Sequence, residues 1–276
     1  MTLVALCSLK GSPGVTTAAL GLAARWPSGE QPVLVECDPA GGDLLARFSL
    51  ETSPGLVSLA AAVRRGAAPG LVWQHTQRLP GGLPVVVGPA GPEQARASLA
   101  QITGAGAAPL RQAADRPGTA VIADCGRIDP GSAALGILRA ADTTLLLARS
   151  HDDALMHVAA NLDRVVRWSR RSCFVLIGGG YPTSEVVRTL GIEVIGRIPD
   201  DRNGAAVLCG RPGRRSAPAN SPLGRSLARI AATAASRSLG RPEWAQEKVP
   251  APRSVGGSPP AMSPGALPES EEEVSR

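Results

Sequence analysis

The stretch Lys10-Gly11-Ser12-Pro13-Gly14-Val15-Thr16-Thr17 has the clearest chemical character in the chain. It follows a short apolar run, Leu3 to Ser8, and opens an Ala/Leu-rich segment, Thr16 to Arg25, whose spacing predicts a helix. A Gly-rich turn placed between strand and helix lets successive backbone N–H groups curl around an anion, and the helix N-terminus adds partial positive charge. Phosphate is the anion such a turn suits, and Thr16 stands where a hydroxyl would help to hold Mg²⁺. The octamer taken alone also fits an ordinary strand-to-helix turn, in which Gly and Pro are common for conformational reasons.

Such a loop needs a buried strand behind it. Short apolar runs alternate with helical patterns over residues 1–240, the signature of β-α-β units and a parallel sheet buried on both faces. Strands are expected at Leu3 to Ser8, Pro32 to Cys37, Leu83 to Val87, Ala120 to Asp124, Thr143 to Ala148, Cys173 to Ile177 and Glu193 to Ile198. Helices are expected at Thr16 to Arg25, Gly55 to Arg65, Pro92 to Thr103, Gly131 to Ala140, Asp152 to Ser169, Thr183 to Leu190 and Ser221 to Leu239. The pattern predicts one α/β domain, a doubly wound, mostly parallel sheet with helices on both faces. Residues 241–276 differ in kind: Pro/Ser-rich, acidic at their end and net −2, against +8 for residues 1–240. Their low apolar content predicts a disordered tail.

Composition excludes several classes. With 43% hydrophobic and 19% charged residues, the chain reads as soluble and globular, and it contains no apolar stretch long enough to span a bilayer. The first ten residues lack the pattern of a secretory signal, which points to the cytoplasm. Five cysteines without C-x-x-C spacing point to neither a disulfide framework nor a zinc site. His151 and His157, spaced i, i+6, fall on different faces of a helix, so with Asp152 and Asp153 they read as solvated residues of a helix start. No Gly-x-Ser-x-Gly elbow indicates nucleophilic catalysis.

Read with the rest of the chain, the octamer resembles the deviant Walker A motif of the ParA/MinD family of P-loop ATPases, Lys-Gly-Gly-x-Gly-Lys-Thr-Thr. Lys10, Gly11, Gly14, Thr16 and Thr17 match, Ser12 replaces a glycine, and Val15 replaces the second lysine. Glu36-Cys37-Asp38-Pro39 resembles the family's Asp-x-Asp-Pro segment, with Glu36 for the first Asp. The apolar run ending at Asp124 resembles Walker B, Ala141-Asp142-Thr143-Thr144 a family strand start, and Ile198-Pro199-Asp200-Asp201-Arg202 the segment near the adenine, with Gly210 closing its helix. The Asn by which many relatives read the base is missing after Ile177, where Gly178-Gly179-Gly180 stands.

The resemblance implies ATP with Mg²⁺ as ligands. It places the phosphates on Gly11, Ser12, Gly14, Val15, Thr16 and Thr17, the ion on Thr16 and Asp124, and the base near Pro199 and Asp200. Asp38 or Glu36 would position the attacking water, and Lys10, the only lysine before Lys248, would act across a nucleotide-dependent homodimer. The implied output is positioning of a cargo in chromosome or plasmid partitioning or at cell-pole machinery, together with a cargo or activator protein. Val15 implies weak or absent hydrolysis and keeps a pseudo-ATPase scaffold for pilus or secretion machinery as an alternative. Arg164, Arg167, Arg170, Arg171, Arg211, Arg214, Arg215, Arg225, Arg229 and Arg237 allow non-specific DNA contact and nucleoid association, with a DNA-associated structural protein independent of nucleotide as a further alternative, or are a solvated basic surface. MinD-like relatives end in a membrane-binding helix. Here the narrow stripe Leu223, Leu227, Ile230 and Ala234 lacks aromatics and predicts core packing instead.

Overall fold

The first apolar run forms β1 (Thr2–Ser8), buried along its whole length. A strand with no solvent-facing side chain must be covered on both faces, and β1 lies inside an eight-stranded sheet. The computed structural model describes residues 2–10, 13–66, 68, 70–211 and 219–239. The other strands are β2 (Gln31–Glu36), β3 (Gln77–Arg78), β4 (Pro84–Val86), β5 (Thr119–Arg127), β6 (Thr143–Ser150), β7 (Ser172–Gly180) and β8 (Val194–Ile198). Their order across the sheet is β3-β4-β2-β5-β1-β6-β7-β8, parallel except for the antiparallel β3–β4 pair.

Eleven helices pack around this sheet among the described residues: α1 (Val15–Ala24), α2 (Leu44–Phe48), α3 (Leu56–Val63), α4 (Leu71–Gln74), α5 (Pro92–Gly104), α6 (Ala108–Ala114), α7 (Leu135–Ala140), α8 (Asp152–Trp168), α9 (Thr183–Leu190), α10 (Arg202–Leu208) and α11 (Pro222–Leu239). Odd-numbered apolar residues of β1 join a core with α3 to α9, while Val4 and Leu6 join a second core with α1, α10 and α11. Leu223, Leu227, Ile230 and Ala234 face that second core, as their stripe predicts. The chain runs from β1 outward to β2 and β4, returns through β5, then crosses to β6 on the other flank. Connections on the two sides of this reversal leave toward opposite faces, which opens a crevice at the carboxyl ends of β1 and β5.

Local chemistry fixes the ends of this scaffold. Asp142 Oδ2 accepts the Leu3 N–H at 2.8 Å and an Arg111 N–H at 2.8 Å, so the Ala-Asp strand start ties β6 to the beginning of β1. The helix expected from Gly131 begins only at Leu135. Asp129 and Ser132 side chains take the N–H groups of Gly131 and Ala134 and hold that stretch in turns. α10 ends on Gly210 at φ 75°, with Gly210 N–H bonding Val207 O and Arg211 N–H bonding Ala206 O, a Schellman closure. β3 and the short α2, α4 and α6 are additional to the expected elements, and α10 is the helix that the resemblance closes at Gly210. The 241–276 tail lies outside the described residues. Among the described residues, no helix is long and apolar enough to cross a membrane.

Asp201 joins two helices. Its Oδ1 accepts the Gly204 N–H at 2.9 Å as the cap of α10, and its Oδ2 accepts the Leu223 N–H at 3.1 Å at the start of α11. The Gly204 N–H, then that of Leu223, holds the carboxyl below its ordinary range against the opposing pull of desolvation. Asp201→Ala is expected to cost about 1–2 kcal/mol in urea unfolding at pH 7. A lowered pKa contributes stability above the unfolded value, so the gap between wild type and variant should shrink as pH falls below about 4.

Candidate functional site

The crevice is entered from β1. After Ser8 the chain passes exposed Lys10 to Gly14, the residue before α1, which takes φ 92° and ψ 39°. This left-handed conformation suits glycine, and Gly14 O then accepts the Ala18 N–H at 2.9 Å as the first turn of α1 forms. Gly11 and Ser12 lie outside the described residues. Thr16 and Thr17 are half-buried at the start of the helix. Val15 is 6% exposed and belongs to the core under α1. It brings neither charge nor a side-chain hydrogen bond to the loop.

Opposite this turn stand three carboxylates. Glu36 and Asp124 are register partners on β2 and β5, both buried to 1% exposure. Strand alternation directs both toward the α1 side of the sheet. Glu36 is fully engaged: its Oε1 accepts the N–H groups of Asp43 (2.8 Å) and Leu44 (3.0 Å), and its Oε2 that of Gly88 (2.9 Å). Burial raises its pKa while these three N–H groups work in the opposite direction. Glu36 is therefore the internal clamp of the 39–44 loop, with both of its oxygens engaged by backbone N–H groups.

Asp124 is different. Its Oδ1 accepts the Gly126 N–H at 3.2 Å, but Oδ2 is buried with no hydrogen-bond partner. Burial pushes its carboxyl up to about 7, with the neighbouring Glu36 and Asp38 charges adding to the rise and the Thr16 hydroxyl opposing it. An orphaned oxygen beside a threonine hydroxyl has the chemistry of half a hard-cation site, completed in such sites by water and phosphate. No group of three or more His, Cys, Asp or Glu among the described residues is placed to hold a metal ion.

Asp38 lies just past β2. Its Oδ1 accepts the Ala40 N–H at 2.8 Å, and its carboxylate rests on Gly126, where a Cβ would collide with it. Asp38 thus connects the loop after β2 to the bend after Asp124. Burial raises its pKa.

The far end of the crevice is built from β7, β8 and α10. Arg197 on β8 donates to Gly178 O at 2.7 Å and Tyr181 O at 2.6 Å, bracing the triple-glycine end of β7. Gly178 takes φ 73°, and a Cβ on it would lie 2.7 Å from Asp200 Oδ2, so Asp200 is placed against the glycines. Pro199 is half-buried and Asp200 exposed beside them. A link not visible in the sequence joins this end to the loop: Arg47 on α2 donates to Thr17 Oγ1 at 3.3 Å and pairs with Asp43 at 2.6 Å, while Thr17 Oγ1 lies 3.9 Å from Cys209 Sγ.

The structure thus brings Thr16, Asp38 and Asp124 together with Glu36 beneath, sets Thr17 against Arg47 and Cys209, and sets Asp200 against Gly178. His151, just before α8, and His157 on it are exposed.

No protein-family model matches the chain. No curated protein matches it either. Solved structures do match. A ParA family ATPase from Chlorobium tepidum TLS is similar with a TM-score of 0.66 over 84% of this chain and 97% of that one, at 19% identity. The MinD cell division protein of Aquifex aeolicus is similar with a TM-score of 0.62 over 86% and 98%, at 14% identity. The septum site-determining protein MinD of Pyrococcus horikoshii OT3, complexed with Mg-ADP, gives 0.60 over 83% and 94%, at 14% identity. At these identities the likeness is one of fold.

Asp124→Asn is expected to stabilise the ligand-free protein, because it removes a buried charge that nothing neutralises. A raised carboxyl pKa costs stability as pH rises from the unfolded value to the folded one. The gain should therefore be absent near pH 4, grow up to about pH 7 and level off above it, at no more than about 4 kcal/mol. Thermal unfolding of the two proteins across that range checks this.

Proposed function

Because the chain has the fold of the ParA/MinD-like P-loop ATPases, we propose that it is a nucleotide-binding switch of that kind. It takes ATP with Mg²⁺, forms a homodimer around the nucleotide and uses the two states to position a cellular cargo. The observation that carries this reading is Asp124, whose buried, unpartnered oxygen lies beside Thr16 at the crevice where the Gly14 turn opens α1. Mg²⁺ is usually held by one or two carboxylates together with the phosphates of its nucleotide, and that donor set fits this pair. Bound there, the ion would offset phosphate charge.

In this reading Gly11, Ser12, Gly14 and the backbone of Val15, Thr16 and Thr17 cradle the phosphates, and Thr16 and Asp124 hold the ion. Asp38 orients the attacking water, since its carboxylate borders the bend after Asp124 while Glu36 is spent on the loop. Pro199 and Asp200 border the base. Lys10, exposed at the mouth of the loop, reaches the nucleotide of the partner subunit. Arg164 and Arg167 on α8, Arg170 just beyond it and, on the other face of the sheet, Arg225 and Arg229 on α11 are exposed and support non-specific DNA contact. Arg171 and Arg237 are instead committed to the fold, through Arg237 O and Glu193.

One observation favours a second reading, a scaffold that binds nucleotide without turning it over. Val15 is packed into the core where a P-loop lysine would reach the phosphates, so transition-state charge goes less compensated.

Titration of the purified protein with ATP and Mg²⁺, following affinity, sedimentation and phosphate release together, tests both. The expected outcome is micromolar binding that drives dimers, loss of those dimers in Lys10→Ala, and phosphate release accelerated about tenfold or more in Val15→Lys. A dimer that forms without nucleotide, in a protein that binds none, would leave the scaffold reading alone standing.

A further inference from the structure

We infer that Arg127 supplies the positive charge that Val15 withholds, acting on the terminal phosphate of a bound nucleoside triphosphate. This role rests on the nucleotide-switch reading and assigns that site a residue no motif marks. Leu6 of β1 lies opposite Asp124 of β5, yet two residues later Ser8 lies opposite Arg127 rather than Gly126. β5 therefore carries one extra residue, a bulge, and Gly126 within it takes φ 57°. The consequence is a change of parity.

In an unbroken strand, residue 127 would face away from Asp124, because successive side chains alternate. Register partners on adjacent strands share a face, so pairing with Ser8 returns Arg127 to the side of Leu6 and Asp124, beside the entry to the phosphate loop. The position is anchored from beyond: the Ile128 N–H donates to Ser8 O at 2.8 Å, and Ile128 is 1% exposed. Arg127 itself is the first exposed residue of β5, and its guanidinium has no hydrogen bond or ion pair to any described residue.

Of the other cations nearby, Arg47 is paired with Asp43, whereas Arg149 is exposed on the opposite flank of β1, where it lines a small cavity with Lys10, Pro13 and Asp153 and serves as the control. A guanidinium stays charged and presents donors in a fork that matches phosphate oxygens. Near Glu36, Asp38 and Asp124, a triphosphate is unfavourable without such a group.

The test is the affinity of full-length protein for a non-hydrolysable ATP analogue and for ADP, each with Mg²⁺. Wild type is compared with Arg127→Gln, Arg149→Gln and the double variant Val15→Lys/Arg127→Gln. Arg127→Gln is expected to weaken the triphosphate about tenfold to hundredfold while ADP, which also reports folding, stays within about twofold. Arg149→Gln should change neither, and Val15→Lys should restore the triphosphate in the double variant. Equal weakening of both nucleotides, an equal effect from Arg149→Gln, or no effect of Arg127→Gln overturns the inference while the switch reading stands. A wild type that binds neither nucleotide overturns both.

Discussion

Two buried carboxylates face the same side of adjacent strands, and the way each is neutralised organises everything around them. Desolvation of a carboxylate is costly, so each must find hydrogen-bond donors, a proton or a cation. Glu36 finds three backbone N–H groups, two from the start of α2 and one from Gly88. That choice folds the loop after β2 back over the sheet and brings Asp38 against Gly126. Asp124 finds one weak backbone donor for one oxygen and the Thr16 hydroxyl beside it, and its desolvation outweighs both. The protein thus spends its own backbone on the first carboxylate and leaves one oxygen of the second without a backbone donor.

The sheet makes this division possible. β2, β5 and β1 are neighbours, and the chain reverses direction around them, so three loops converge on one crevice without competing for space. Asp142 and Arg111 secure the opposite end of β1, and Asp201 holds α10 and α11 together just past β8. The rigid parts are buried and paired. The cations that face the crevice, Lys10 and Arg127, are exposed.

Much of this was legible in the residues because the signals are local. β1, β2 and β6 are continuous apolar runs, and the Gly-rich turn, Asp38 and Asp124 each sit at the end of one. What was not legible depends on distance in sequence. β3 is two polar residues, Gln77 and Arg78, that become a strand only by pairing with β4. α2 has five residues and rests on Glu36 and on the Arg47 contact to Thr17, neither of which a periodicity reveals. The role of Glu36 differs from a simple stand-in for Asp because its partner at Gly88 lies 52 residues away. Arg127 is hidden for another reason: its facing follows from a bulge, a property of register between two strands.

The packing above Glu36 also constrains how this sequence can drift. A Cβ at Gly42 would lie 2.7 Å from Glu36 Oε2 and 2.7 Å from Gly88 O, and one at Gly88 would press on Glu36 Cβ at 3.3 Å. The longer acid at position 36 fills the room that side chains at 42 and 88 would need. Shortening it to Asp would strand the N–H groups it serves. The Gly88 carbonyl bars a side chain at 42 as well, so Gly42 stays restricted whichever acid stands at 36.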